Sequence, residues 1–337
     1  MDPDSVDSVD RVPHGSSDEP DVLDLSANIN PRTPAGTRAV YGAAFEDARS
    51  YPNDGYPAYR DAAAGYVGCD PEAVVPTAGG LSAIRLAIGV TVAPGDRALV
   101  PYPSFGEYAR EIELAGGRPE FVPYEELLER DPAGYAMAIV CTPNNPTGEC
   151  PPPGDLRAFA DRCAAAGTTL LADEAFLGFT DRESLAGREG VVVARSLTKL
   201  FGLPGLRAGF AVAEGNALDR LQRARPAWSL GGPAAAVGAH AMRDGGFVAE
   251  TRRRLARERA NLRAGLRDRG FDVTPSEAPF LLCDVGEPPA ELLAALRRNG
   301  VVLRDATTFR GLDRHVRIAV RDREATDRLL SVLDEVR

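Results

Sequence analysis

The chain has 337 residues, 44% hydrophobic and 26% charged, which is ordinary globular composition and enough length for two domains with their own cores. Its formal net charge of −10 excludes a general electrostatic attraction to nucleic acid or to an anionic membrane, so an anionic substrate has to be held by a local basic site. No apolar run approaches the roughly 18 residues of a membrane span, and the acidic, polar first 20 residues do not read as a secretory signal, so a cytoplasmic location is predicted.

Residues 1–20 carry few apolar side chains and no period, and they read as an extended arm, with ordered structure starting in the alternating stretch Asp21 to Leu25. The arm is taken to end at residue 38, where a larger domain, 39–222, begins. In it, short apolar runs predict strands at Arg97 to Pro101, Ala136 to Cys141, Thr168 to Ala172, Val191 to Arg195 and Gly209 to Val212. Helical patterns at Ser82 to Val90, Phe105 to Leu114 and Asp155 to Ala166 separate them. Strands spaced by helices predict an α/β fold with a mostly parallel sheet covered on both faces. Beyond this, 223–337 reads as a smaller α+β domain, with a long arginine-studded helix at Gly246 to Asp268, strands at Val301 to Arg304 and His315 to Val320, and a closing helix at Glu324 to Val336. The five cysteines, Cys69, Cys141, Cys150, Cys163 and Cys283, are scattered without a CxxC pair or a histidine cluster, so they read as reduced core residues and no metal site is predicted.

Of the 39 basic residues, 38 are arginine and a single one, Lys199, is lysine. An acidic, lysine-poor, arginine-rich chain fits a salt-rich cytoplasm and a GC-rich genome. Arginine replaces lysine as a surface cation, but a guanidinium does not become a nucleophilic amine, so a lysine that survives such a bias points to a task that needs a neutral amine. Lys199 follows the strand ending at Arg195, which puts it at the carboxyl edge of the predicted sheet, where α/β ligands sit. Near it in sequence, Ser196 and Arg207 offer donors to a phosphate, and Thr77-Ala78-Gly79-Gly80 leads into a helix whose first amides favour an anion. Asp173 closes another strand, where a carboxylate would keep a pyridine nitrogen protonated, and Asn145 follows a third. Taken singly, each has a plainer alternative: a turn for the glycine pair and for Asn145-Pro146, a helix cap for Asp173.

Taken together, CTPNNPTG at 141–148, DEAF at 173–176, RSLTK at 195–199 and PGLRAGF at 204–210 resemble the class I and II aminotransferases, fold-type I enzymes that use pyridoxal 5′-phosphate. The resemblance covers nearly the whole chain. It implies Lys199 as the lysine that forms the imine with the cofactor, Asp173 at the pyridine nitrogen, Asn145 at the ring oxygen and Phe105 stacked on the ring. It further implies Gly80, Leu81, Ser196 and Arg207 at the cofactor phosphate, and Tyr51 reaching that phosphate from the second subunit of a homodimer.

Within the family, two groups are similar to this chain: the threonine-phosphate decarboxylases of cobalamin synthesis and the histidinol-phosphate aminotransferases. DLSANINP at 24–31, PAWS at 226–229, RIAVR at 317–321 and His14-Gly15 resemble the first, and Phe176 stands where most aminotransferases carry a tyrosine. That resemblance implies a small phosphorylated amino acid as substrate, lined by His14, Gly15, Asn28, Asn145, Arg304 and Arg317. By residue type alone, His14 in a polar arm and two arginines among 38 also read as solvated surface. The alternatives are a histidinol-phosphate-type aminotransferase and, more remotely, a scaffold without catalysis, against which the intact set Lys199, Asp173, Asn145 and Arg207 argues.

Overall fold

The protein is described by a computed structural model over residues 1–17, 19 and 21–336. Asp18 and Pro20 of the expected arm and Arg337 of the expected small domain lie outside the described residues.

The first strand, β1 (Leu23–Asp24), pairs in parallel with β11 (Val301–Val302), which ties the start of the chain to its last third. Seven strands then build one large sheet: β2 (Val74–Thr77), β3 (Arg97–Tyr102), β4 (Arg118–Pro123), β5 (Met137–Cys141), β6 (Thr169–Asp173), β7 (Val191–Ser196) and β8 (Gly209–Val212). Their order is β2-β8-β7-β6-β5-β3-β4, parallel except for β8, which runs against both of its neighbours. A smaller antiparallel sheet, ordered β12-β13-β10-β9, contains β9 (Asp272–Val273), β10 (Phe280–Asp284), β12 (Arg304–Asp305) and β13 (His315–Ala319). The helices are α1 (Thr37–Glu46), α2 (Pro57–Val67), α3 (Gly80–Thr91), α4 (Glu107–Leu114), α5 (Pro153–Ala166), α6 (Gly215–Ala224), α7 (Gly232–Arg243), α8 (Gly245–Arg267), α9 (Ala290–Arg298) and α10 (Arg323–Val336). No helix among the described residues is long and apolar enough to cross a membrane.

Alternation along the central strands divides the core into two layers. Met137, Ile139 and Cys141 of β5, Leu171 of β6 and Val192 of β7 pack with Ile84 and Ile88 of α3 and Tyr108 and Ile112 of α4. Ala138 and Val140, Leu170 and Ala172, and Val191 and Val193 pack on the opposite face with Leu156 and Phe159 of α5. A strand buried on both faces is apolar throughout, and this is why its hydrophobic run is visible in the sequence.

The two strands of the large sheet that apolar runs do not reveal, β2 and β4, are its two edges. Both contain proline, Pro76 in β2 and Pro119 and Pro123 in β4, and an edge strand tolerates a residue without an N–H. Order also begins earlier than expected. Asp2 donates its backbone N–H to Leu114 O at 2.7 Å, and Arg110 Nε donates to Asp10 O at 3.1 Å, so the arm runs back along α4 toward its N-terminal end.

Gly209 shows how tightly β8 is fitted. A Cβ there would lie 2.6 Å from Arg195 O and 2.6 Å from the carbonyl carbon of Gly79, both backbone atoms. We expect Gly209→Ala to lower the unfolding free energy by about 1–3 kcal/mol. Gly89→Ala, in the interior of α3 with open space around it, should instead stabilise by about 1 kcal/mol. Urea unfolding of both variants checks the contrast.

Candidate active site

The carboxyl ends of β5, β6 and β7, the start of α3 and the small sheet converge on a cavity of about 250 Å³. This is where the crevice of an open α/β sheet is expected. A larger cleft of about 880 Å³ lies elsewhere, on α8; of the arginines that line it, Arg182 pairs with Glu277 and Arg252 with Asp181.

Lys199 lines the cavity from the turn after β7, and its carbonyl accepts the backbone N–H of Asn30 at 3.0 Å. Burial, with Arg317 and Arg207 nearby, lowers its ammonium to about 8 against an ordinary 10.5, only partly offset by Asp173. Asp173 ends β6; its Oδ2 accepts from Tyr108 Oη at 2.5 Å and its Oδ1 from Ala175 N at 3.0 Å. Asn145 sits in the loop after β5, its Oδ1 accepting from Arg317 Nη1. Phe105 forms a wall with Tyr108 edge-on to it, centroids 5.5 Å apart. Phe176 lines the floor and packs edge-on against Phe280 at 5.0 Å.

At the start of α3, Gly80 and Leu81 face Ser196, whose Oγ shares a hydrogen bond of 2.8 Å with Thr198 Oγ1. Glycine is required at 79 by its backbone, φ 91°, and the fit is close: a Cβ on Gly79 would lie 2.8 Å from Arg207 Nη2, and one on Gly80 would lie 3.0 Å from Ser196 Cβ. Opposite, Arg304 pairs directly with Arg317 across β12 and β13. Like charges facing each other across a ladder repel, and such a pair calls for an anion between them. Arg317 lies between the rings of Phe280 and Phe309, 5.2 and 5.7 Å from their centroids, and burial with Arg304 lowers it to about 9, still cationic at neutral pH. Among the described residues, none of Arg207, Arg304 and Arg317 has a carboxylate partner.

The arm closes the cavity. His14 Nε2 is 2.9 Å from Glu107 Oε1, its ring is 5.9 Å from Phe105, and Pro13 O accepts from Arg304 Nη2 at 2.7 Å. Gly15 is pinned so closely that a Cβ would lie 2.5 Å from Ser26 O, and Gly106 gives way to Val12 in the same manner. Thus His14, Gly15, Asn28, Asn145, Arg304 and Arg317 share one cavity with Lys199, Asp173, Gly80, Leu81, Phe105, Ser196 and Arg207. Tyr51 does not join them; it is 78% exposed and stacks on Trp228 at 4.4 Å. Sequence reasoning missed Tyr108 and Glu107, which lie beside Phe105 in the stretch PSFGEY at 103–108 but touch partners 65 and 93 residues away.

Comparison with known proteins bears on the chain as a whole. The model of the family "Aminotransferase class I and II" matches residues 20–333. The chain belongs to this family. It has the fold-type I architecture, is an enzyme of the family and uses pyridoxal 5′-phosphate. It is 33% identical over 327 residues to histidinol-phosphate aminotransferase of Symbiobacterium thermophilum, covering 93% of this chain and 90% of that one. It is 30% identical over 336 residues to threonine-phosphate decarboxylase of Salmonella typhimurium, covering 94% and 91%. Among solved structures, histidinol-phosphate aminotransferase of Sinorhizobium meliloti in complex with pyridoxal 5′-phosphate superposes with a TM-score of 0.83 at 21% identity, over 92% of this chain and 89% of that one.

The residues present fit that cofactor. The glycine cradle at the start of α3 leaves room for a phosphate beside Arg207, and two buried polar atoms of the cavity, Asn28 Oδ1 and Arg317 Nε, have no hydrogen-bond partner in the protein.

Two outcomes follow. A lysine whose folded value lies near 8 rather than 10.5 binds fewer protons folded than unfolded between those values, so its contribution to stability rises with pH through that window. We expect cofactor-free wild type to gain stability relative to Lys199→Met from about pH 8 to pH 10.5, measured by urea unfolding at each pH. The Glu107 latch is tested separately: Glu107→Ala should speed tryptic cleavage after the exposed Arg11 several-fold while the rest of the chain resists digestion.

Proposed function

We propose that the enzyme decarboxylates L-threonine O-3-phosphate to (R)-1-aminopropan-2-yl phosphate, the reaction that serves cobalamin biosynthesis in the decarboxylases it resembles. The observation that carries this reading is the pair Arg304 and Arg317, opposed in register without a carboxylate, in a small cavity that the arm closes. A compact molecule bearing both a phosphate and a carboxylate matches two unbalanced guanidinium groups, each able to form bidentate hydrogen bonds. A cavity of about 250 Å³ that also has to accept the cofactor favours a compact substrate over one carrying a further ring.

When bound, pyridoxal phosphate supplies an electrophilic carbon and a ring able to take up an electron pair from Cα. In this reading Lys199 holds the cofactor, Asp173 faces the ring nitrogen, Asn145 the ring oxygen and Phe105 the ring face. Gly80, Leu81, Ser196 and Arg207 hold its phosphate, and the exposed Tyr51 serves the site of a second copy in a homodimer. His14, Gly15 and Asn28 would join Arg304 and Arg317 in holding and orienting the phosphate and carboxylate of the substrate. The aromatic side chains of Phe176, Phe280 and Phe309 exclude water from the departing carboxylate. With its ammonium near 8, Lys199 Nζ carries a proton that it can deliver to Cα and a free amine a little above neutrality.

Similarity supports a second reading better than this one: the histidinol-phosphate aminotransferase reported above is 33% identical, the decarboxylase 30%. Transamination uses the same parts but moves a proton from Cα instead of releasing the carboxylate, with Lys199 as the base. Incubation with cofactor and L-threonine O-3-phosphate, without a keto acid, separates the two. We expect stoichiometric carbon dioxide and aminopropanol phosphate, and in Lys199→Ala neither product nor the visible absorbance band of the lysine-bound cofactor. No release, together with 2-oxoglutarate-dependent turnover of histidinol phosphate, would assign the second reading.

A further inference from the structure

Asp173 does not stand alone behind the site. Tyr108, on α4 and three residues beyond Phe105, is fully buried, and its hydroxyl donates to Asp173 Oδ2 at 2.5 Å. With Ala175 N donating to Oδ1 at 3.0 Å, both carboxylate oxygens carry a fixed donor from the protein. The other groups that face this carboxylate are the Lys199 and Arg195 cations, which favour its charge, and the Cys141 thiol on β5, which burial keeps neutral. Burial likewise keeps the Tyr108 hydroxyl in its protonated, donating form, and it raises the Asp173 carboxyl above its ordinary value against the opposing pull of Tyr108, Ala175 N, Lys199 and Arg195.

The direction of the hydrogen bond matters. A phenol donating to a carboxylate stabilises the ionised form, whereas a protonated carboxyl would bring a second hydrogen to the same contact. The ring of Tyr108 is also held edge-on by Phe105, 5.5 Å between centroids at 85°, so the wall proposed to stack on the cofactor and the donor to Asp173 are locked together on one turn of chain. We propose that Tyr108 is a positioning residue for the cofactor: its hydroxyl holds Asp173 ionised and oriented, so that the shared proton stays on the pyridine nitrogen of pyridoxal phosphate and not on the carboxylate. The proposal rests on the family's cofactor and on the placement of Asp173 at its ring nitrogen, and is indifferent to which substrate is used.

The test reads the ring nitrogen directly. Tyr108→Phe removes one oxygen at constant ring shape and should fold, as circular dichroism will show. With pyridoxal phosphate labelled with 15N in the ring, the wild-type resonance should report a protonated nitrogen between about pH 6 and 9. In Tyr108→Phe it should move toward the unprotonated position within that range, with the cofactor dissociation constant raised about ten-fold. Tyr108→His, which restores a donor, should move the resonance back. A folded Tyr108→Phe protein with wild-type resonance and affinity overturns the proposal. So does a neutral-carboxyl infrared band in cofactor-bound wild type that Asp173→Asn removes; that measurement needs no change at 108, and absence of the band supports the proposal. Because these readouts involve no substrate, they stand or fall apart from the decarboxylation assay.

Discussion

Arg207, Arg304 and Arg317 face one cavity, none of them paired with a carboxylate among the described residues, and this excess of cations is the constraint on which the site depends. Arg304 and Arg317 are buried and donate only to neutral acceptors, while Arg207 is exposed. Buried cations without a counter-charge are unfavourable in an empty protein, and they are retained where an anion arrives to take the place of water. Two of these cations act on Lys199. Arg317 and Arg207 add to burial in lowering its ammonium, and Asp173 opposes them. A chain that has replaced lysine with arginine everywhere else therefore keeps its single amine beside guanidinium groups that help to neutralise it.

Placement of these charges follows from the sheet. Strands β5, β6 and β7 end side by side, so residues that follow them in sequence at 145, 173 and 199 meet in space, while the reversed β8 brings Arg207 back to the start of α3. The small sheet supplies the opposing wall through β12 and β13. The arm then joins the two halves, touching Glu107 of α4 on one side and Arg304 of β12 on the other.

Much of this was legible in the sequence, because the informative residues sit in short strings at strand ends. Lys199 stood out by its isolation, and the strands that flank it announced themselves as apolar runs buried on both faces. The edges β2 and β4 did not: proline shortens the apolar run in β2, which is buried throughout, and in β4 proline combines with only one buried residue, Val122. Tyr108 and Glu107 were also invisible in their roles: each lies in a motif read for Phe105, and what gives each its meaning is a partner far away in the chain, Asp173 for one and His14 for the other. The anchoring of the arm belongs to the same kind of information. A polar stretch with no period shows nothing of its own packing, yet Gly15 and Gly106 are small because backbone and Val12 press against them.

The solitary lysine also makes the chain a natural single-site target for amine chemistry. Apart from an α-amino group, an acylating or reductively alkylating reagent would find one primary amine in these 337 residues, in the lining of a cavity roofed by the arm. In the cofactor-free protein at fixed pH, the rate at which Lys199 is labelled then reports how often that roof lifts.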